Sequence, residues 1–303
     1  MGVSGGGMIG GVYAAVLTPR VATGELDEAA FRGLLDFLLS KGIGGFAVNG
    51  ATGEFCLTTE AEFARLVAVT AETVRGRGNF LAGIGSAGAD ASIRLGRVAA
   101  KAGAAGLLLP MPYFFPYSQE DLKAFSRTVA AGVDAPVLLY NLPQFTSGLD
   151  PKTSVELIEE CANIVGIKDS SGSLKTVRRL TERKIAARRL IGNDSVLTPA
   201  LQQRLLDGVV SGIACVLPEL IVNLYRAGSS DSRSGQLLEL AQILAELTNQ
   251  LDALPTPWAL KVLAEARGLV PATYPMPLSG ERERQRAELL AWFEEHRARL
   301  LAQ

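Results

Sequence analysis

Short apolar runs rich in β-branched residues alternate with longer segments in which apolar residues recur at helical spacing. This alternation repeats eight times before the pattern changes. Short apolar runs are typical of buried strands, and the longer periodic segments are typical of amphipathic helices. The predicted strands are Val12–Leu17, Gly45–Val48, Phe80–Ile84, Gly106–Leu109, Val137–Tyr140, Ile164–Lys168, Arg188–Ile191 and Val209–Val216. The predicted helices between them are Asp27–Lys41, Thr59–Arg75, Ala89–Ala102, Gln119–Ala131, Pro151–Cys161, Leu174–Ile185 and Val196–Leu206.

Most of the predicted strands are apolar on both faces, as expected of a parallel sheet covered by helices. Eight βα units in succession therefore predict an α/β fold, a (β/α)8 TIM barrel, with an open doubly wound sheet as the alternative. Three helical segments without strands follow and predict a C-terminal three-helix extension: Arg233–Leu251, Pro257–Arg267 and Glu281–Leu301. The predicted organisation is a flexible tail over 1–10, a catalytic barrel over 11–228 and an α-helical extension over 229–303.

Helix start signals support these boundaries. Thr59 followed by Glu62, and Ser118 followed by Asp121, form the capping-box pattern in which the two side chains cap each other's backbone N–H. Pro151 fits the first turn of a helix, where its missing N–H needs no partner. The predicted boundaries between strands and helices therefore depend on local chemistry as well as on periodicity.

Composition narrows the class of partner. The 303 residues contain 30 Lys plus Arg and 31 Asp plus Glu, a net charge of −1, without a long basic stripe. A nucleic-acid partner is therefore not expected. The start of the chain lacks a charged segment followed by a continuous apolar one, and no later run is long enough to span a bilayer. We predict a cytoplasmic protein that acts on a small molecule, with no membrane partner.

Cysteine and histidine contribute little to the predicted chemistry. Cys56, Cys161 and Cys215 are far apart, and the one histidine, His296, lies in a charged segment near the end of the chain. This spacing favours neither a disulfide framework nor a zinc site. Cys215 lies in an apolar run, which predicts an inert buried thiol. The reaction is therefore expected to run without histidine and without a protein-bound metal.

One glycine motif after the third predicted strand resembles a nucleotide-binding fingerprint. Gly83, Gly85 and Gly88 have the spacing G-x-G-x-x-G. That fingerprint also requires an acidic residue about 20 positions later, where this chain has Leu107–Pro110. A tight turn between strand and helix is the better interpretation, and no NAD site is predicted.

Lys168 ends an otherwise apolar predicted strand, Ile164–Lys168. Barrel enzymes carry their chemistry at the carboxyl ends of the strands. Apolar surroundings disfavour the charged form of an amine and leave it able to attack a carbonyl carbon. A lysine that extends from the strand end to solvent would give the same pattern, and position alone does not separate the two.

Tyr140 ends the preceding predicted strand, Val137–Tyr140. If these two strands are neighbours, Tyr140 and Lys168 project into one cavity. A phenol there is able to pass protons to and from a covalent intermediate on the lysine. The alternative is a core tyrosine whose hydroxyl is satisfied by backbone.

A glycine-rich loop, Asn49–Glu54, follows the second predicted strand. Its glycines allow a compact turn with exposed N–H groups, and Thr52 adds a hydroxyl. Such a loop is suited to bind a carboxylate, although an ordinary glycine-rich turn has the same sequence features.

Together, in this order, these segments resemble the dihydrodipicolinate synthase / N-acetylneuraminate lyase family of class I aldolases. The resemblance covers nearly the whole chain. It is carried by the segments Gly11–Pro19, Gly50–Glu54, Pro112–Phe115, Tyr140–Pro143, Gly166–Asp169 and Pro271–Leu278. It implies a homo-oligomer, a dimer or a tetramer built from dimers, with the active site at the carboxyl end of the barrel.

The resemblance also implies roles for individual residues. Lys168 is similar to the Schiff-base lysine and Tyr140 to the proton-transferring phenol. Thr52, with the N–H groups of Ala51 and Thr52 beside Gly50, is similar to the clamp for the pyruvate carboxylate. The implied cycle uses no cofactor, because the lysine imine itself withdraws the electrons. Substrate choice is expected in the loops Gln144–Gly148 and Ala214–Glu219, with Ala214 in contact with substrate.

The chain departs from the family pattern at three places. Ala51 stands where the family usually has a hydroxyl residue. Phe114 stands where many members have a tyrosine that reaches across the dimer. The loop after Tyr140 lacks the arginine that dihydrodipicolinate synthases use for the carboxylate of the second substrate, and Phe145 is the nearest residue. The resemblance with these departures implies a proton relay that is depleted in hydroxyl groups, and a second substrate that differs from that of a synthase.

The sequence therefore predicts a pyruvate-dependent, Schiff-base-forming aldolase that acts on a 2-oxo-3-deoxy sugar acid or a 4-hydroxy-2-oxo acid. Its expected ligands are pyruvate, or another 2-oxo acid, and an aldehyde. Three alternatives stay open. They are dihydrodipicolinate synthase itself, which condenses pyruvate with aspartate semialdehyde, a related sugar-acid dehydratase, and a non-catalytic 2-oxo acid binder.

Overall fold

A computed structural model describes residues 9–231 and 234–302. Eight parallel strands alternate with helices and close into a barrel. The strands are β1 Gly11–Ala15, β2 Gly45–Val48, β3 Asn79–Gly83, β4 Gly106–Pro110, β5 Val137–Asn141, β6 Ile164–Asp169, β7 Arg188–Ile191 and β8 Gly208–Ser211. The helices are α1 Glu28–Ser40, α2 Glu60–Val74, α3 Ala89–Lys101, α4 Gln119–Gly132, α5 Pro151–Glu160, α6 Lys175–Glu182, α7 Leu197–Gln202, α8 Ile213–Val216, α9 Pro218–Ser230, α10 Gly235–Leu251, α11 Trp258–Ala266 and α12 Gly280–Leu301.

Strand order in the barrel follows the order in the chain, and β8 pairs with β1 to close the sheet. The predicted TIM barrel is therefore confirmed, and the open doubly wound sheet is excluded. Both predicted capping boxes are present at the starts of α2 and α4, and Pro151 occupies the first turn of α5. The predicted tail 1–10 falls mainly outside the described residues, which begin at Ile9.

The last predicted strand, Val209–Val216, was wrong in its second half. β8 ends at Ser211, and the apolar residues Ile213–Val216 form the short helix α8. The Ser211 hydroxyl accepts a hydrogen bond from the Ala214 N–H at 3.0 Å and so caps this turn. Helix α9 then completes the eighth βα unit, and the sequence patterns did not identify it.

Apolar side chains form two layers around the strands. Alternate strand residues point into the barrel and fill it, and the others pack outward under the helices. The inner layer consists of Ile9, Tyr13, Ala15, Ala47, Leu81, Leu108, Leu138, Tyr140, Leu142, Leu190 and Val210. This layer fills the barrel interior below the carboxyl ends of the strands.

The C-terminal extension packs on one side of the barrel. Helix α10 contacts α9 and the short 3-10 turn Asp194–Val196 after β7, and α11 contacts α8 and α12. The extension therefore reaches the loops at the carboxyl ends of β7 and β8. Within residues 9–231 and 234–302, no helix combines the length and the apolar character that crossing a membrane requires.

Candidate active site

A cavity of about 290 Å³ opens at the carboxyl ends of the strands. Strand ends, the loops that follow them and the C-terminal extension all contribute to its wall. The lining consists of Ala15, Ala51, Thr52, Tyr140, Leu142, Gln144, Phe145, Lys168, Ser170, Gly192, Asn193, Asp194, Val210, Gly212, Ile213, Thr248, Leu251, Asp252, Leu254, Thr256, Pro257, Ala259 and Leu260. This is the position at which TIM barrels bind their substrates.

Lys168 and Tyr140 lie side by side on adjacent strands. They are directly paired in the register of β5 and β6, and both side chains are buried. Lys168 Nζ lies 3.9 Å from the centroid of the Tyr140 ring, a cation–π contact. The expectation that both side chains project into one cavity is confirmed. The amine is therefore held inside the barrel mouth and does not extend along the strand to bulk solvent.

The next residue on each of these strands points outward and ties the two strands together. Asn141 Nδ2 donates to Asp169 Oδ1 at 3.3 Å, and the Ser171 N–H donates to the same oxygen at 3.0 Å. Asn141 Oδ1 also accepts from the Leu149 N–H at 3.0 Å. Burial raises the pKa of Asp169, and these hydrogen bonds act in the opposite direction. Because Asn141 and Asp169 fix the strand ends, they also fix the two inward side chains before them.

Small residues leave room for the long lysine side chain. Ala15 and Val210 line the cavity wall, and Gly192 follows β7 beside the lysine. A Cβ atom placed at Gly192 would lie 2.8 Å from Lys168 Cε and 2.1 Å from Ser170 Oγ. A side chain at 192 would therefore displace the side chains of Ser170 and Lys168, and glycine avoids this.

The loop after β2 forms a tight turn over the cavity. Its two ends, Ala51 and Glu54, are joined by a hydrogen bond of 3.0 Å from the Glu54 N–H to the Ala51 carbonyl. Ala51 and Thr52 line the cavity, as expected. Gly50 does not line it, because it is buried behind the turn, where its carbonyl accepts from the Phe55 N–H at 3.2 Å.

Ala214 is not among the cavity-lining residues, although the sequence placed it in contact with substrate. It is fully buried in the outer apolar layer, as a member of α8. The expectation treated 209–216 as an extended run, whereas the chain turns into a helix after Ser211. Gly212 and Ile213 line the cavity in its place.

Asp194 lines the cavity, although the sequence patterns did not single it out. It follows β7 in the segment Gly192–Asp194, and the rule that identified Lys168 and Tyr140, polar residues at strand ends, applies to it equally. Burial raises the pKa of Asp194 to about 6, against the lowering effects of Ser211, of the Ile213 N–H and of the nearby Lys168 amine. An acid with this pKa beside an amine is a feature of functional sites.

The raised pKa of Asp194 predicts a pH-dependent loss of stability. The folded pKa of about 6 lies above the ordinary value of 3.8. The stabilising contribution of the protonated acid is thus complete below pH 3.8 and is lost as the pH rises through 6. Asp194→Asn removes this loss, so its unfolding free energy should exceed that of the parent by about 1–3 kcal/mol at pH 7 and by little at pH 4.

Urea unfolding at pH 4, 5, 6 and 7 measures this effect. Asp252→Asn is the matched control, because Asp252 also lines the cavity but is exposed to solvent. Its pH profile should run parallel to that of the parent. An Asp194→Asn profile that also runs parallel to the parent would contradict the expectation.

The outer wall of the cavity comes from the C-terminal extension. Thr248 and Asp252 reach it from the end of α10, and Thr256 and Leu260 from the loop before α11 and from α11 itself. Among the described lining residues, Lys168 is the one cation, and Asp194 and Asp252 are acids. The outer part of the cavity thus presents hydroxyls, amides and carboxylates to a ligand.

The remaining sequence candidates lie outside the cavity. Cys215 is fully buried, and burial raises the pKa of its thiol to about 12, which agrees with an inert core residue. His296 stacks on Trp292 in α12. Gly85 packs against the ring of Phe55, where a Cβ atom would lie 2.5 Å from Cε2. The G-x-G-x-x-G segment therefore serves close packing between two loops.

A metal centre is not evident in the part of the chain that the structure describes. Across residues 9–231 and 234–302, no three His, Cys, Asp or Glu side chains lie close enough together to hold a metal ion. The groups that the cavity presents include the Lys168 amine, the Tyr140 phenol, the Thr52 hydroxyl and the Asp194 carboxyl.

Comparison with known proteins agrees with this geometry. The model of the dihydrodipicolinate synthetase family matches residues 8–295. The 4-hydroxy-tetrahydrodipicolinate synthase of Salinibacter ruber is 32% identical over 289 residues, which cover 94% of this chain and 95% of that one. Dihydrodipicolinate synthase from Aquifex aeolicus superposes with a TM-score of 0.88 at 26% identity, covering 95% and 98% of the two chains.

A second solved structure gives a similar match. It is a prophage protein of the dihydrodipicolinic acid synthase family from E. coli K12, in complex with pyruvate, with a TM-score of 0.88 at 27% identity over 96% and 99% of the two chains. The matches extend over both the barrel and the helical extension. This chain therefore belongs to the dihydrodipicolinate synthetase family and is a pyruvate-dependent lyase of the class I, Schiff-base-forming type.

Proposed function

We propose that Lys168 is the residue that forms the Schiff base, with Tyr140 as the proton-transferring group. The observation that carries this proposal is the position of Lys168 Nζ, which is buried at the barrel mouth 3.9 Å from the centre of the Tyr140 ring. An amine at this place is shielded from bulk water and open to a ligand in the cavity. No other lysine lies among the described lining residues.

The proposed cycle needs only these side chains and the substrate. The Lys168 amine attacks the 2-oxo carbon of pyruvate, and the adduct loses water to give an iminium ion. Loss of a proton from the adjacent methyl group gives an enamine, because the iminium nitrogen accepts the electron pair. The enamine adds to an aldehyde, or forms from the reverse cleavage, and hydrolysis of the imine frees the product. Tyr140 accepts and returns the protons of these steps.

Ala51 and Thr52 are proposed to bind the carboxylate of pyruvate. Both line the cavity, and they lie within the turn that the Glu54 N–H closes. Two successive backbone N–H groups and a hydroxyl are suited to hold the two oxygens of a carboxylate. Ala51 contributes only its backbone, so proton transfer in this enzyme depends on Tyr140, on water and on hydroxyl groups of the substrate.

We infer that the second substrate is an aldehyde without a carboxylate at its far end, so that the aldol product is a 2-oxo-3-deoxy sugar acid or a 4-hydroxy-2-oxo acid. The support is the outer wall of the cavity. Phe145 lines the cavity, and the C-terminal extension adds the polar residues Thr248, Asp252 and Thr256 to its lining. A carboxylate there would meet the acid Asp252, and Lys168 is the one cation among the described lining residues. Hydroxyl groups are the better match to such a wall.

The second candidate is 4-hydroxy-tetrahydrodipicolinate synthase, the condensation of pyruvate with aspartate semialdehyde. Relatives of that name from Salinibacter ruber and Thermomicrobium roseum are each 32% identical to this chain. The described cavity-lining residues include no arginine to bind the carboxylate of aspartate semialdehyde, which argues against the synthase. A sugar-acid dehydratase would use the same imine, and a 2-oxo acid binder would stop at the imine.

The deciding experiment has two stages. The protein is first incubated with pyruvate and borohydride, and the reduced adduct is located by peptide mass spectrometry, with Lys168 as the expected position. It is then assayed for cleavage of 2-oxo-3-deoxy sugar acids, for condensation with aspartate semialdehyde and for dehydration. Cleavage to pyruvate is the expected result. Faster condensation with aspartate semialdehyde would select the synthase, and an adduct without any turnover would select the binder.

Replacing Gly192 by Ala should impair formation of the imine. The added Cβ atom would lie 2.8 Å from Lys168 Cε, so the lysine side chain must shift. Displacement of the lysine amine should slow borohydride trapping of pyruvate by about 10–100-fold. The control is Gly33→Ala in α1, where a Cβ atom meets nothing within 4 Å. Trapping of Gly192→Ala at the parental rate would contradict the expectation.

We further propose that the protein is a homo-oligomer, a dimer or a tetramer. Phe114 and Phe115 form an edge-to-face pair on the loop after β4, and they are 87% and 60% exposed. Adjacent exposed aromatic rings are typical of an interaction surface. Light scattering on the parent and on Phe114→Ser/Phe115→Ser tests this assignment.

The cytoplasmic location stays a prediction from the sequence.

A further inference from the structure

A buried ion pair lies beneath the turn that carries Thr52, outside the cavity itself. Lys261 Nζ donates to Glu54 Oε2 at 2.6 Å and to the Thr273 carbonyl at 2.6 Å. The two side chains are only 4% and 7% exposed. Neither residue lines the cavity. The pair joins α11 of the C-terminal extension to the loop after β2, across 207 positions of sequence.

Glu54 is the residue that closes the turn. Its N–H donates to the Ala51 carbonyl, and its backbone is left-handed, with φ 55° and ψ 49°. Residues with a Cβ atom rarely adopt this conformation, because the Cβ atom crowds the following carbonyl. Such a conformation persists only where surrounding contacts impose it. The bond from Lys261 is a contact of that kind.

Helix α11 meets the same region at a second point. Leu260 lines the cavity and packs against Gly212, where an added Cβ atom would lie 2.9 Å from Leu260 Cδ1 and 3.4 Å from Thr52 Oγ1. Leu260 of α11 thus lies close to Thr52, with Gly212 between them, and the next residue, Lys261, binds the Glu54 carboxylate. Together they limit the positions that the turn is able to occupy.

We propose that Glu54 and Lys261 form a positioning pair, through which α11 holds the Ala51–Glu54 turn in the geometry that binds the carboxylate of pyruvate. This inference rests on the role proposed above for Ala51 and Thr52. The pair does not contact the ligand. It sets the direction of the Ala51 and Thr52 N–H groups, so its loss should weaken capture of pyruvate more than it slows the chemistry that follows.

The chemistry of buried charge separates this role from a purely structural one. Removing one partner strands a buried charge and destabilises the fold, whereas replacing both by neutral side chains of similar size is often tolerated. Glu54→Gln/Lys261→Met removes both charges and keeps the length of each side chain. In this variant the fold should persist while the turn loses its electrostatic anchor.

The test measures capture of pyruvate directly and requires no aldehyde. Parent and Glu54→Gln/Lys261→Met are trapped with borohydride over a range of pyruvate concentrations, and the modified fraction is read by intact-protein mass spectrometry. The half-saturating pyruvate concentration is expected to rise at least tenfold, with the full extent of labelling retained at saturation. The single variant Glu54→Gln, whose amide oxygen still accepts from Lys261, should lie between the parent and the double variant.

The control removes a different ion pair, at the end of the same helix. Arg267, just after α11, binds Glu219 of α9 with an Nη2–Oε1 distance of 3.1 Å, and these side chains are 8% and 12% exposed. Glu219 also binds Lys41 at 3.0 Å, so Glu219→Gln/Arg267→Met leaves that lysine without this partner and should lower the unfolding temperature. It should not change half-saturation by pyruvate. A parental half-saturating concentration in a folded Glu54 variant, or an equal rise in the control, overturns the inference. If the parent itself is not labelled, the proposed function fails instead.

Discussion

Lys168→Met is expected to abolish trapping of pyruvate by borohydride. Methionine has nearly the length of lysine and is apolar, so it fits a site where lysine is 3% exposed, but it has no amine to attack the 2-oxo carbon. Exchange of the pyruvate methyl protons for deuterium, followed by NMR, reports formation of the enamine without any second substrate. This exchange should fall by at least about 10³-fold.

The control for this experiment is Lys175→Met. Lys175 is the first residue of α6 in the same βα unit, and it is exposed to solvent. Its replacement should leave both labelling and exchange at the parental level. Labelling of Lys168→Met at another lysine, with exchange retained, would assign the Schiff base to that residue and refute the proposed role of Lys168.

The fold was predictable from the sequence because its signals are local and repeated eight times. Most of the buried strands are apolar runs, and capping residues such as Thr59 and Ser118 mark where helices begin. The failure at Val209–Val216 has a physical cause. A four-residue buried helix and the end of a buried strand are both continuously apolar, so periodicity does not separate them. The turn after Ser211 depends on its hydroxyl cap.

The center of the site was predictable for a related reason. A polar residue at the end of an apolar strand has no packing role, and in a barrel adjacent strand ends meet. This reasoning identified Lys168 and Tyr140, and it would have found Asp194 after β7 had it been applied there. The pKa of Asp194 was not predictable, because it depends on burial of the carboxyl in the folded chain, opposed by the lowering effects of Ser211 and of the Ile213 N–H.

The contributions of the C-terminal extension were out of reach of sequence patterns. Thr248 lies in the amphipathic helix α10 and Asp252 directly after it, where both resemble the other polar residues. The ion pair of Glu54 with Lys261 joins positions 207 residues apart. Only the docking of α10 and α11 on the barrel brings them to the site. The extension therefore lines the candidate site as well as covering one side of the barrel.

Tyr140→Phe is expected to separate the covalent chemistry from proton transfer. The substitution removes only the hydroxyl and keeps the ring that packs 3.9 Å from Lys168 Nζ, at a position that is 2% exposed. Imine formation at equilibrium should therefore survive, and borohydride should still label Lys168 at long times. Exchange of the methyl protons should slow by about 10²–10³-fold, the usual contribution of a positioned acid or base.

Tyr225→Phe is the matched control, because it also removes one phenol hydroxyl, but at the opposite end of the barrel. The Tyr225 hydroxyl donates to the Asp207 carbonyl at 3.1 Å, and its loss should cost about 1 kcal/mol of stability without changing exchange. Exchange in Tyr140→Phe within threefold of the parent would mean that water or the substrate carries the protons. Tyr140 would then act only as the aromatic surface against which the lysine packs.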